Sequence, residues 1–162
     1  MTATSAAVVA SLGIVALCAG RCYDAPVLTR QVEARRLVAD LRLQLDTAAG
    51  ASSQAVEAPT VEAAAAATRQ SEEAAQAVEG KAQALRPILD ALSYATERRL
   101  LNEFDERFAA FRTLDRAIVD RSVPDATLAE SLARRRLLAA ACDESLRALQ
   151  AALHQHDAVA TR

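Results

Sequence analysis

Apolar and small residues recur every three or four positions along most of this 162-residue chain. This is the spacing of one face of an α-helix. Three breaks interrupt the pattern, at Ala58-Pro59-Thr60, near Tyr94, and at the sequence "RSVPD" (residues 121–125). The pattern therefore predicts four helices, over about residues 26–57, 60–92, 96–121 and 125–157. Because the connections between them are short, consecutive helices are expected to run antiparallel.

The predicted inward positions follow a heptad spacing, with steps of three and four residues. They are Ala34, Val38, Leu41, Leu45, Ala48, Ser52 and Ala55 in the first segment; Val61, Ala64, Thr68, Ser71, Ala75, Val78, Ala82, Leu85, Leu89 and Leu92 in the second; Leu101, Phe104, Phe108, Phe111, Leu114 and Ile118 in the third; and Leu128, Leu132, Arg135, Leu138, Cys142, Leu146, Leu149, Leu153 and His156 in the fourth. None of the segments could bury such a stripe alone. The sequence therefore predicts an all-α protein, an up-down-up-down antiparallel four-helix bundle with an N-terminal apolar signal or anchor segment.

Two residues predict irregularities within these helices. Gly50, followed by Ala-Ser-Ser, is expected to weaken or interrupt the first helix. Pro87 is expected to kink the second helix or to end it early, because proline removes one helical hydrogen bond.

All three phenylalanines of the chain lie within eight residues, as Phe104, Phe108 and Phe111. Folding the neighbouring segments back onto the third places Phe104 and Phe108 beside the small residues at 80–84 and 139–142. Large rings against small residues fill a core to native density. This arrangement predicts core packing, and the alternative that the rings also line a ligand pocket stays open.

The first 25 residues are predicted to be a signal peptide or a membrane anchor. No charged side chain occurs from Met1 to Gly20, and Ala6–Gly20 is apolar apart from Ser11. This run is short for a membrane span, which needs about 20 residues, and suits the core of a signal peptide. The segment lacks a basic start, however, and the arginines from Arg21 onward favour retention of the following domain in the cytoplasm. The alternative is a buried apolar segment.

Two of the three cysteines follow this apolar run. Cys22 and Cys18 are candidate lipid attachment sites, although neither is preceded by the small residue that a lipobox requires. Two thiols without histidine partners are also a weak zinc signal. Cys142 lies in the apolar register of the fourth segment and is predicted to be a small core residue.

Composition and motifs point away from catalysis. A net charge of −2 and a pI near 5.7 give no electrostatic footprint for nucleic acid. The sequence lacks the Glu-x-x-His pairs of di-iron bundles, a haem attachment motif, a Gly-rich phosphate loop and a nucleophile elbow. His154 and His156 are two residues apart and would point away from each other on a helix. We therefore predict no catalytic residue, no cofactor and no metal.

Charge is unevenly distributed between the first two predicted helices. Residues 30–42 carry an excess of arginine, whereas residues 46–80 carry six acidic residues and one arginine. The two helices are expected to pair through these opposite charges, at tenths of a kcal/mol for each exposed pair.

Three polar residues in the inward register are candidate ligand contacts. Arg135 is expected either to snorkel out to solvent or to bind an anionic ligand between helices. Thr68 and Ser71 interrupt the second seam at about the height of Ser52. They predict a polar layer satisfied by water or by the backbone.

Three stretches of the chain together resemble a known family. They are "RQVEARRLVADLRLQLDTAAGASSQAV", "EAAQAVEGKAQALRPIL" and "LLNEFDERFAAFRTLDRAIVD", the last ending in the pattern Phe-x-x-Leu-Asp at Phe111, Leu114 and Asp115. The pattern resembles the four-helix-bundle sensory module of bacterial methyl-accepting chemotaxis receptors. The resemblance covers about residues 27–155, without the signalling part. It implies an extracytoplasmic, non-catalytic and often dimeric bundle that transmits small helix shifts.

The function expected from these observations is that of a non-catalytic, envelope-associated bundle that binds a partner protein or a small ligand. Its partners would be another protein or a second copy, and the membrane through the N-terminal segment, with no nucleic acid. The expected location is the periplasm or the cell envelope. The alternative is a structural scaffold that completes its bundle by oligomerisation, because the alanine-rich seams of the first two segments leave an underfilled core.

Overall fold

Four helices make up the fold. The computed structural model describes the backbone of residues 6–160 and the side chains of residues 26–156. The helices are α1 (Ala6–Glu57), α2 (Val61–Ala91), α3 (Ala95–Val119) and α4 (Asp125–Ala160), and the described residues include no strand. The predicted all-helical class is thus confirmed. α1 extends upstream of Pro26, near which the sequence pattern predicts its start.

Contacts between side chains show that consecutive helices run antiparallel. Lys81 of α2 pairs with Asp40 of α1 at 3.0 Å, and ten residues earlier in α2 the Ser71 hydroxyl donates to the Ala48 carbonyl, eight residues later in α1. The same holds for the pairs that join α2 to α3, α3 to α4 and α1 to α4: as residue numbers rise along one helix, they fall along its partner. The bundle is therefore up-down-up-down.

The short connections are fixed by local backbone chemistry. The Thr60 side chain caps α2 by accepting a hydrogen bond from the Ala63 N–H at 3.2 Å. Glu62 lies in the first turn of α2, where its negative charge interacts favourably with the helix dipole. Ser93 between α2 and α3 and Arg121 between α3 and α4 have positive φ angles of 58° and 53°. Each of these two residues reverses the chain directly after a helix.

The interruption predicted at Gly50 and the early end predicted at Pro87 do not occur. α1 passes Gly50 without interruption to Glu57, because Ala48, Ala51 and Ser52 around it are buried against the other helices. α2 continues beyond Pro87 to Ala91. The proline lies in the last turns, between the buried Leu85 and Leu89, so packing holds this part of the helix.

The core is a cluster of apolar residues from all four helices, with the three phenylalanine rings at its centre. Phe104, Phe108 and Phe111 are at most 4 % exposed, and successive ring centroids lie 5.6 and 6.0 Å apart. The prediction that the rings are buried is confirmed. Among the small residues of α2 predicted beside them, Ala82 belongs to the core, but Gly80 and Ala84 are exposed.

Val61 and Leu114 do not take the inward positions predicted for them. Val61, the first residue of α2, is 82 % exposed. Leu114 is only half-buried, and the adjacent Asp115 takes the buried position. The burial of Asp115 has consequences for the candidate site.

The expected pairing of acidic α2 with basic α1 is also wrong. Glu79 and Glu72 of α2 face Arg112 and Arg116 of α3, each at 3.7 Å. Between α1 and α2 the described ion pair is Asp40–Lys81, with the acid on α1. The acidic side of α2 is thus turned towards α3.

Replacing Gly80 with alanine is expected to stabilise the protein by about 0.5–1 kcal/mol. Gly80 lies within α2 at an ordinary helical φ, and a Cβ atom built there meets no atom within 4 Å. The alanine therefore restricts the unfolded chain without strain in the folded one. Urea denaturation measures the change, and a loss of stability would show that the position is packed.

Candidate ligand site at one end of the bundle

Most of the buried polar side chains lie at two levels of the core, with the phenylalanine cluster between them; the exception is Ser145, whose hydroxyl accepts from Arg107 at 2.7 Å. One level contains Arg135, Asp115 and Ser52, which lie towards the end of the bundle that holds the α1–α2 and α3–α4 connections. The other contains Glu97 and Gln31 and lies at the opposite end. We call these the Arg135 layer and the Glu97 layer.

The Arg135 layer joins three helices. The Arg135 guanidinium of α4 donates from Nη1 to the Ser52 hydroxyl at 2.6 Å and to Asp115 Oδ1 of α3 at 3.2 Å. Its Nη2 donates to the Ser53 hydroxyl at 2.8 Å, and Ser52 in turn donates to Asp115. Arg135 and Asp115 are 4 % and 5 % exposed, so this is a buried ion pair between α3 and α4 that is also hydrogen-bonded to α1.

The structure places all three predicted ligand contacts near this layer. Thr68, Ser71 and Asp115 line the same narrow recess between α2 and α3, and Asp115 joins that recess to Arg135. The hydroxyls of Thr68 and Ser71 donate to the carbonyls of Ala64 and Ala48, at 2.9 and 3.0 Å. A polar layer satisfied partly by the backbone is therefore present at the level of Ser52.

Arg135 does not snorkel to solvent, in contrast to that expectation from the sequence. Asp115 neutralises its charge inside the core, and two serines accept from its guanidinium, so the side chain has no need to reach water. For the same reason, little of its charge is left for an anionic ligand. A buried pair of this kind fixes the relative position of the helices that carry it.

A pocket of about 210 Å³ lies beyond the Arg135 layer, where α1 and α3 end and α4 begins. Six apolar side chains line it: Ala55, Val56, Ile118, Val119, Val123 and Leu128. Arg121 and Asp125 complete the lining, and neither forms an ion pair within the described part of the chain. We call this the end pocket. Its shape depends on the α3–α4 connection, in which Arg121 has the positive φ angle.

The Glu97 layer closes the opposite end of the core. His156 Nε2 lies 2.7 Å from the Glu97 carboxylate, and Glu97 is 3 % exposed. The imidazole stacks on the Tyr94 ring with centroids 3.8 Å apart, and Gln31 donates to the Tyr94 hydroxyl at 2.6 Å. Side chains from α1, α3, α4 and the α2–α3 connection thus meet here.

The structure offers no metal centre in its described part. Among those residues, no three histidine, cysteine, aspartate or glutamate side chains lie close enough together to hold a metal ion. His156 Nε2 contacts the Glu97 carboxylate, and His154 Nδ1 contacts the Gln150 carbonyl, each at 2.7 Å.

Cys142 is fully buried in the core, as its register predicts. Burial raises the pKa of its thiol to about 12, and the nearby Arg107 offsets part of this effect. The thiol is therefore neutral at physiological pH and poorly nucleophilic. Cys18 and Cys22 lie outside the residues whose side chains are described.

The sequence analysis missed Asp115, Glu97 and Gln31 as buried polar residues. Their spacing carries the signal: Glu97 and Asp115 lie four residues from the buried Leu101 and Phe111, and Gln31 lies three residues from the buried Ala34. Continuing the heptad steps through polar residues would have placed all three in the core.

Comparison with protein-family models, with curated proteins and with solved structures gives no match for this chain. In the described part of the chain, no helix has the length and the apolar content needed to cross a membrane.

Proposed function

We propose that this chain is a non-catalytic binding module that holds a small, largely apolar ligand in the end pocket. The observation that carries the proposal is the pocket itself, a concave site with six apolar side chains and two charged groups that form no ion pair with any described residue. Ligand sites in proteins are typically apolar and contain a few polar groups that orient the ligand. At about 210 Å³ the pocket is smaller than the roughly 300–1,000 Å³ of drug-sized sites.

The proposal extends to the cell envelope and to a sensory role. The apolar run before Arg21 suits an export signal or an anchor, and the heptad-patterned helices resemble the sensory modules of chemotaxis receptors. A binding module of this kind requires no catalytic residue, which accords with a sequence that lacks catalytic motifs. The partner in signalling would be another protein or a second copy.

Benzene is a suitable probe of the end pocket, because small apolar cavities in proteins bind it. Methyl resonances of Ile118 and Leu128 are expected to shift on titration and to saturate. Replacing Ala55 with leucine fills the pocket and should abolish the shifts, whereas Ala39→Leu on the exposed face of α1 should not. Shifts that never saturate, or that persist in Ala55→Leu, would refute a ligand site here.

Export is tested separately by fusing the first 30 residues to a reporter enzyme that is active only in the periplasm. The proposal predicts reporter activity outside the cytoplasm. Replacing Leu12 and Val15 with arginine in the same fusion interrupts the apolar run and should abolish the activity. A fusion that is inactive outside the cytoplasm would refute the proposed location in the cell envelope. It would not bear on the proposed ligand site.

A structural scaffold that completes its bundle by oligomerisation is the second candidate. Exposed apolar residues on α1 favour it: Leu28, Val32 and Leu43 are 55–62 % exposed and share one face of the helix. The core of one chain, in contrast, already contains apolar stripes from all four helices. If the scaffold proposal holds, light scattering shows an oligomer that Val32→Glu dissociates and Val61→Glu does not. A monomer would eliminate it.

A further inference from the structure

The four helices pack as two hairpins. α1 makes its most extensive contact with α2, and α3 with α4, whereas α2 and α3 contact each other much less. The connection between α2 and α3 is a tight turn, in which the Tyr94 N–H donates back to the Leu89 carbonyl at 3.0 Å. The two hairpins thus meet along two lines, α1 against α4 and α2 against α3. We call the line between α2 and α3, which this turn closes at one end, the α2/α3 seam.

Charged side chains bridge the α2/α3 seam at intervals of seven residues along α2. The pairs are Arg86–Asp105, Glu79–Arg112 and Glu72–Arg116. Next to the turn, Arg86 hydrogen-bonds directly to Asp105 and also donates to Asn102 at 2.8 Å. Further from the turn, both remaining pairs are 3.7 Å apart, which is beyond hydrogen-bond distance. The bridging contacts therefore weaken with distance from the turn.

Apolar packing along the α2/α3 seam is incomplete. Two open clefts of about 250 and 340 Å³ lie along it, and both reach the ring of Phe108. Further from the turn, Ser71 and Asp115 line the recess that Glu72 and Arg116 border. The ion pair furthest from the turn therefore stands directly over the Arg135 layer.

We propose that the α2/α3 seam opens from the end remote from the turn, with Leu92–Tyr94 as the hinge, and thereby exposes the Arg135 layer to solvent. The bridging ion pairs hold the seam closed. Their side chains are partly exposed, so salt screens the attraction and favours the open state. This opening does not depend on a ligand in the end pocket.

Thiol labelling measures the opening at a buried position beside the seam. Ser71→Cys places a thiol of similar size in the recess, and native Cys142, fully buried in the core, is the internal reference for global unfolding. After reaction with iodoacetamide, peptide mass mapping separates the two sites. Between 50 mM and 1 M NaCl, the rate at Ser71→Cys should rise several-fold, while the rate at Cys142 stays unchanged. Thr68→Cys, in the same recess, is a second probe if Ser71→Cys perturbs folding.

Charge reversal across the seam provides the matched test. Glu79→Arg sets two guanidinium groups opposite each other and should raise the labelling rate at Ser71→Cys about five- to tenfold. Adding Arg112→Glu restores an attractive pair and should return the rate to within about twofold of the starting value. Glu73→Arg is the control, because Glu73 is exposed on the same helix and forms no ion pair in the described structure.

The outcomes separate opening of the seam from other motions. Equal responses at Ser71→Cys and Cys142 would mean that the thiols react through global unfolding, and the proposal would be overturned. An equal effect of Glu73→Arg, or no recovery in the Glu79→Arg/Arg112→Glu protein, would overturn it as well.

Discussion

Replacing Phe104 with alanine is expected to lower the free energy of unfolding by about 3–5 kcal/mol. Phe104 is fully buried within a core cluster to which all four helices contribute, and its ring stacks on Phe108. Alanine removes the ring and leaves a cavity that the rigid helices around it close only in part. Urea denaturation gives the loss directly, provided that the dependence on denaturant is unchanged.

Two further substitutions calibrate this result. Leu137→Ala truncates a side chain that is 71 % exposed on α4, so its effect should stay within about 0.5 kcal/mol. Phe108→Ala should fall at the lower end of the range expected for Phe104, because the Phe108 ring borders the clefts of the α2/α3 seam. If Phe104→Ala were as mild as Leu137→Ala, the rings would not form the core.

Replacing Arg135 with methionine is expected to destabilise the protein by about 3–5 kcal/mol, a loss as large as that from a core ring. The substitution keeps most of the apolar volume but leaves the Asp115 carboxylate buried without its counter-charge. Thermal and denaturant unfolding measure the loss. Arg134→Met is the matched control, because the neighbouring Arg134 is exposed and forms no ion pair in the described structure.

The double variant Asp115→Leu/Arg135→Met separates the cost of an unpaired charge from the value of the pair. Two apolar side chains of similar volume in place of a buried ion pair are often neutral or stabilising. Most of the stability lost in Arg135→Met should therefore return, which gives a coupling energy of about 2–3 kcal/mol. Additive losses from the two single variants would show that Arg135 and Asp115 do not interact in the core.

Hydrophobic periodicity predicted the helices well because each is long and its register is continuous. In α3 the buried positions alternate strictly in steps of four and three residues: Glu97, Leu101, Phe104, Phe108, Phe111, Asp115 and Ile118. The prediction that Leu114 faces the core was wrong because it followed the residue type instead of the spacing. Leucine is the usual core residue, yet the register places the aspartate inside. Spacing is thus the better guide to burial in this bundle.

Pairing between helices could not be predicted from the same pattern. A heptad seam shows which positions face inward, but it does not show on which side each neighbour lies. Glu72 and Glu79 accordingly face α3, although the charge excess suggested α1. The partnership of Arg135 with Asp115 likewise depends on the lateral position of α4 against α3.

The end pocket could not be predicted from the sequence pattern either. It forms where the last turns of α1 and α3 meet the start of α4, next to the connection in which Arg121 adopts a positive φ angle. Residues 121–125 predict a break between helices, but arginine has no special preference for a positive φ angle, so neither that backbone conformation nor the pocket has a signature in the residue types.

The most direct test of the four-helix core is a nuclear Overhauser spectrum of the phenylalanine ring protons, recorded with isotope mixing so that contacts within one chain are separated from those between chains. The structure predicts intrachain cross-peaks from the three rings to methyl groups of α1, α2 and α4, among them those of Leu41, Val78 and Leu146. The absence of cross-peaks to any one of these helices, or cross-peaks that arise only between chains, would contradict it.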